Sequence, residues 1–175
     1  MEAIEVMPRT SPCGGPLPEL EVPMINTMVN CLINEHRRLD EQIIELALAA
    51  SRLGANPHVM RDGERAAELW NSIQHDLWSH LQIEDEVVLT WGEAHHAMGA
   101  AFLGTLQRER EELRKLIATL PAWNAIAAVE YRESYAKTLL EIAQKLDSHV
   151  ALYDSEVLPA ILRALFNRRD PPLET

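Results

Sequence analysis

The sequence predicts an all-α chain folded as an up-down-up-down antiparallel four-helix bundle, preceded by an extended N-terminal arm. Three observations predict it. Apolar residues recur at steps of three and four along four long segments. No stretch alternates with period two over a useful length. Only 7 glycines stand among 175 residues, too few for a turn-dense all-β domain.

The arm covers residues 1–23. Pro8, Pro16, Pro18 and Pro23, with Gly14 and Gly15, forbid a long helix there. The bundle covers residues 24–167. Its first helix is expected from about Pro23 to Leu53, on the stripe Val29, Leu32, Leu39, Ile43 and Leu46; Gly54, Asn56 and Pro57 end it. The second runs from about Arg61 to Leu89, with Leu69, Ile73 and Leu77 on one face, and Thr90 to Gly92 form the next break. The third runs from about Glu93 to Leu120 through Met98, Phe102, Leu106 and Leu113, and Pro121 stops it. The fourth runs from about Ala127 to Phe166 through Leu139, Ile142, Leu146, Val157 and Ile161; Pro159 should kink or interrupt its last turns. Residues 168–175 form a frayed tail. Helices of about 28 residues are roughly 40 Å long, and the short connections make neighbours antiparallel.

Composition narrows the function. Apolar residues make up 47% and charged residues 25%, a mix that buries a core and excludes global disorder. Twenty-seven acids against 16 bases give a formal charge of −11, which argues against nucleic acid and anionic membranes as partners. No apolar run approaches the roughly 18 residues of a membrane span. The first residues lack the basic start and apolar block of a signal peptide. Cys13 and Cys31 make neither a disulfide framework nor a zinc-finger pattern, so a reducing cytoplasm is expected. There is no Gly-rich phosphate loop, no G-x-S-x-G and no Cys/His/Asp nucleophile set.

The stripes carry polar residues where apolar ones are expected. His36 fills the gap between Leu32 and Leu39. His80 continues Ile73 and Leu77, with Glu84 one turn later. His95 or His96 opens the third stripe, and His149 continues Ile142 and Leu146, with Asp154 just beyond. An inward stripe takes about three of every seven helix positions, so chance alone places two or three of seven histidines inward. Height along the bundle is the stronger test. His36 lies about 17 residues before the first turn and His80 about 18 after it, so both sit roughly 26 Å from that end. Glu84 and His95/His96 each lie within about two helical turns of the second break, and His96 is about 24 residues before the third turn and His149 about 21 after it. One histidine per helix therefore falls in one layer with two carboxylates. Buried imidazoles and carboxylates need partners, and their convergence in a bundle core is typical of metal ligands. His95 and His96 are about 100° apart on a helix, and His96, deeper in the helix, is the preferred one. His58 lies in a loop, and His75 faces a groove or solvent.

These elements resemble the hemerythrin-like (HHE cation-binding) family. His80-Leu-Gln-Ile-Glu84 is similar to its H-x-x-x-E element. His149-Val-Ala-Leu-Tyr-Asp154, followed by Leu158-Pro159, is similar to its H-x-x-x-x-D element with an L-P close. His36 stands where the family has its first-helix histidine, and the order holds over about residues 28–162. The resemblance implies a non-haem di-iron centre in a four-helix bundle. Glu84 and Asp154 would bridge the irons; His36, His80, His149 and His95 or His96 would be terminal ligands. It implies a site for O₂ or NO, for sensing, storage or delivery, or an enzyme of the same fold that turns over peroxide, O₂ or NO. One departure stands out. The family's oxygen carriers have a third-helix H-x-x-x-H, whereas Gly92 and Ala100 flank His96 at that spacing and Gly99 follows His95. One ion or two, iron or another metal, and a homodimer stay open. A ferritin-like E-x-x-H pair matches only once, at Glu93 to His96, and a metal-free interaction bundle does not require the shared height.

Other features have plainer readings. Trp70, Trp78 and Trp91 are core and interface anchors. Tyr153, one turn after His149, either approaches a bound ligand or packs with its hydroxyl near the surface. The run from Arg108 to Lys115 is a solvated face with i,i+4 pairs. Cys31 is a small core residue.

Overall fold

The computed structural model describes residues 22–123 and 129–169. The expected arm falls on residues 1–21, outside the described residues apart from Val22 and Pro23. Cys13 and most of the expected tail also lie outside them. The described residues are almost wholly helical and contain no strand.

Helix α1 spans Val22–Ala55 and α2 spans Met60–Glu84. Pro23 sits in the first turn of α1, where a missing N–H costs nothing. The helix ends at Asn56-Pro57, as proline excludes helical backbone before it. α2 runs without a break into a π-helical segment, Asp85–Gly92. The third helix, α3, spans Ala100–Thr119. The fourth rod is continuous: α4 (Val129–Leu152), a π turn (Tyr153–Val157) and α5 (Leu158–Arg169). Cross-helix pairs give the directions. Arg38 meets Asp76 and Arg65 meets Glu45, so α1 and α2 are antiparallel. Lys145 meets Glu112 and His149 meets Glu109, so α3 and α4 are antiparallel.

Two boundaries differ from the sequence expectation. The break expected at Thr90 to Gly92 lies further on, at 95–99. The helix continues through Gly92 because wider π hydrogen bonding absorbs the stretch. It closes where the His96 amide bonds the Glu93 carbonyl and the Ala97 amide bonds the Gly92 carbonyl. That pair of bonds is a Schellman closure, which needs a left-handed residue, and His96 supplies it with φ 52°. Nor does Pro159 interrupt the fourth rod. The π turn directly before it takes up the missing donor, and α5 runs on.

The inward stripes build two apolar clusters. One joins Leu39, Ile43 and Leu46 of α1 to Leu69–Leu81 of α2, Leu113 and Ile117 of α3, and Leu139–Val150 of α4. The other joins Ile25–Leu32, Val87–Trp91, Leu103, Leu106 and Tyr153–Leu165. Between them, at the same height on every rod, lie the buried polar residues His36, His80, Glu84, Arg110 and His149. Trp70 and Trp91 are core residues, whereas Trp78 is half exposed. Cys31 is exposed, a correction to its core assignment: Leu32 takes the inward position beside it.

At the far end from the polar layer, Trp123 closes the first cluster. Its ring lies 5.3 Å from Tyr135 and under the Arg132 guanidinium at 5.8 Å. A Cβ added at Gly63 of α2 would stand 2.0 Å from Trp123 Cη2. Gly63→Ala gains up to about 1 kcal/mol of helix propensity, but overpacking against a held ring costs about 1–3 kcal/mol. A lower urea midpoint is expected for Gly63→Ala, reversing to stabilisation in a Trp123→Ala background.

Candidate metal centre

Each donor is inward because its helix places it on the core stripe, and each is kept polar by a partner on a neighbouring helix. His36 comes from α1, His80 and Glu84 from one turn of α2, and His149 from the end of α4. One ligand atom from each lies within 4.8 Å of the others, and all four residues are buried. The carboxylate is the hub. Glu84 Oε1 lies 3.0 Å from His80 Nε2, 3.0 Å from His149 Nε2 and 3.7 Å from His36 Nε2. The three rings stand 4.9–6.4 Å apart, centre to centre.

The other nitrogen of each ring faces outward to a carboxylate. His36 Nδ1–H donates to Asp154 Oδ1 at 2.6 Å, and His80 Nδ1–H donates to Glu35 Oε2 at 2.9 Å. His149 Nδ1 faces Glu109 Oε1 at 3.4 Å. With Nδ1–H turned outward to a carboxylate, Nε2 is the atom that would ligate an ion once its proton is displaced, and the carboxylate raises the basicity of the ring. The device is made as a hydrogen bond at His36 and His80 and as a longer ion pair at His149, on three different helices.

Electrostatics follow from this arrangement. Burial by itself would raise the Glu84 carboxyl, but the charge and hydrogen bond of His149, with the imidazoles of His36 and His80 close beside it, hold it well below the usual carboxylate range. Burial disfavours a charged His149, yet Glu84 and Glu109 push it up to about 9. His36 is likewise raised, against its own burial, by Glu84 and Asp154. Tyr153, whose ring lies 4.5 Å from His149, has a buried hydroxyl. Burial and the Glu84 charge raise its phenol and keep it protonated.

The fit to a metal ion can be judged from these atoms. The Nε2 atoms of His36 and His80 and Oε2 of Glu84 are buried without a hydrogen-bond partner. Native interiors seldom tolerate such atoms unless something unseen in the protein chain pairs them. Three imidazole nitrogens and one carboxylate suit one borderline first-row ion. They fit one ion; they do not supply the donors of a pair.

The remaining sequence candidates lie elsewhere. Asp154 is 47% exposed and holds the outer nitrogen of His36, outside the four-donor group. His95 donates from Nδ1 to the Trp91 carbonyl at 2.7 Å and stacks on Trp91 at 4.3 Å. His96 is exposed at the left-handed closure of the π segment. Neither joins the cluster, because the break expected before them falls at 95–99 and contains them both. His58 and His75 are exposed.

What α3 brings to the layer is Glu109 and Arg110. Arg110 is buried, which corrects the reading of residues 108–115 as a solvated face. The signal was present: Leu103, Leu106, Arg110, Leu113 and Ile117 step by three and four, and residue 110 is the gap in that stripe. Glu35 and Glu109 carry no such signal, since both lie one position off a stripe. The π segments begin immediately after Glu84 and shortly after His149, a placement typical of functional helices.

Replacing an outer carboxylate tests the arrangement without removing a donor. Glu35→Gln and Asp154→Asn are each expected to weaken metal binding about 10–100-fold, read by competition with a chelator. Full affinity in both variants would show that the outer shell does not tune the imidazoles.

Among the described residues, no helix is long and apolar enough to cross a membrane. No curated protein and no solved structure matches the chain significantly. The family model for the hemerythrin HHE cation-binding domain matches residues 27–161, a span that takes in α2 and α3 whole, most of the first and fourth rods, and all four residues of the cluster. The chain belongs to the hemerythrin HHE cation-binding domain family.

Proposed function

We propose that this chain is a cytoplasmic non-haem iron protein that binds a small ligand, O₂ or NO, for sensing, storage or delivery, with His36, His80, Glu84 and His149 as metal ligands. The observation that carries the reading is the convergence of three Nε2 atoms and Glu84 within 4.8 Å, each imidazole backed by an outer carboxylate. Iron in such a set supplies a redox-active ion with coordination positions left for a small molecule. The chain supplies the rest. The two apolar clusters above and below the layer exclude bulk water. Outer carboxylates orient His36 and His80, and Glu84 and Glu109 hold His149 from its two sides. The Tyr153 hydroxyl is a buried donor beside Glu84.

A second reading is favoured by Tyr153. A buried phenol can hold or pass a proton at a neighbouring ligand, as an enzyme turning over peroxide, O₂ or NO requires. One experiment separates the readings. Protein purified anaerobically without chelators is analysed for metal, and its visible spectrum is followed on adding O₂, NO or peroxide. Stoichiometric iron and a change reversed by removing the gas support binding. Steady peroxide consumption that falls in Tyr153→Phe supports the enzyme. Stoichiometric binding of no metal would sink both.

A further inference from the structure

The polar layer contains a fifth buried side chain, and it is a permanent cation. Arg110 is 1% exposed. Its Nε lies 3.5 Å from Glu84 Oε2, its Nη1 lies 2.6 Å from Asp85 Oδ1, and its Nη2 donates to the Leu81 carbonyl. Glu84 therefore stands between two positive regions. Its Oε1 faces the three imidazoles, and its Oε2 faces the guanidinium.

An ion held by the three Nε2 atoms and Oε1 uses one oxygen of the carboxylate. The other oxygen could bridge to a second ion only on the side that Arg110 fills. A second ion would also need donors of its own, and among the described residues the group of three or more candidate donors is the four already used. Asp85 is held by Arg110 and Arg114, Asp154 by His36, and His95 by the Trp91 carbonyl. A guanidinium keeps its charge and has no lone pair to give, so it neutralises Glu84 Oε2 without ligating anything.

We propose that Arg110 takes the place of a second metal ion: the centre holds one ion, and Arg110 is the residue that sets this stoichiometry. The proposal rests on the reading of His36, His80, Glu84 and His149 as ligands.

The test is a titration of the full chain with Co(II) and, anaerobically, with Fe(II), followed by native mass spectrometry. One ion per chain is expected. After oxidation, the iron form should give the paramagnetic signal of an isolated high-spin ferric ion, not the silence of a coupled pair. Two tightly bound ions would overturn the proposal and leave the metal-binding reading intact. Binding of no ion would overturn that reading itself. Arg110→His tests the residue. The atom nearest Glu84 is the mid-chain Nε, so an imidazole reaches the same region and brings a lone pair. A folded Arg110→His protein is expected to take up two Co(II) ions; one ion only would show that Arg110 is not the determinant. Arg110→Lys keeps the charge and should keep one ion, with helicity checked by circular dichroism. A second ion in Arg110→Lys would also overturn the proposal, and this variant serves if Arg110→His does not fold.

Discussion

Replacing Glu84 by alanine is expected to strip the centre of its metal ion and to destabilise the metal-free bundle as well. Both effects have one cause. Glu84 is fully buried, and four positively charged or proton-bearing groups share it: His36, His80, His149 and Arg110. Removing the acceptor leaves that layer with no central negative charge between two apolar clusters. Breaking a buried charge pair by deleting one partner costs about 3–5 kcal/mol, and a chemical denaturation curve of metal-free protein should show a loss of that order. Glu84→Gln keeps the shape and one acceptor oxygen but not the charge, so a smaller loss is expected from it. The metal effect is separate. A ligand that binds only the folded state stabilises it by about 2.7 kcal/mol at one hundred times its Kd. The melting temperature of the unaltered protein should therefore rise with added metal, and that of Glu84→Ala should not move. Stoichiometric metal retained in Glu84→Ala would show that the carboxylate is not a ligand.

The histidines are expected to divide three against two. His36→Ala, His80→Ala and His149→Ala should each lose metal binding by more than about 100-fold, beyond the loss from an outer-shell change. His95→Ala and His96→Gly should keep the full metal complement. Glycine is the informative replacement at residue 96, because that position has φ 52° and glycine adopts it without strain. Inductively coupled plasma analysis of the five variants reads the division directly. Metal lost from His95→Ala or His96→Gly would mean that the 93–99 segment folds inward when the ion binds, and that the third-helix ligand anticipated from the sequence is used after all.

The four residues of the buried cluster were legible because periodicity and helix rise place them. His36, His80 and His149 each continue an apolar stripe, and counting residues from the turns brings them to one height. Glu84 follows from its position one turn after His80. The third helix differs from its sequence expectation because the turn before it lies at 95–99 and not at Thr90 to Gly92. A π segment is encoded by no breaker, so nothing in Asp85–Gly92 announced that the helix would continue, and His95 and His96 were counted into a helix they only precede. Arg110 shows the opposite error. It sits on the stripe, but a run of alternating charges is ordinarily a solvated face, and that reading outweighed the pattern.

By itself, then, the sequence determined the four rods, their antiparallel order, the family and the identity of a polar layer, because hydrophobic spacing is a property of each helix alone. Only the tertiary structure decided that Asp154, Glu35 and Glu109 stand behind the imidazoles, and that Arg110 faces Glu84 where a further ligand set was anticipated. Those facts depend on the rotation of one helix against another and on which nitrogen of a ring meets which carboxylate. Neither quantity has a period that can be read along a single chain.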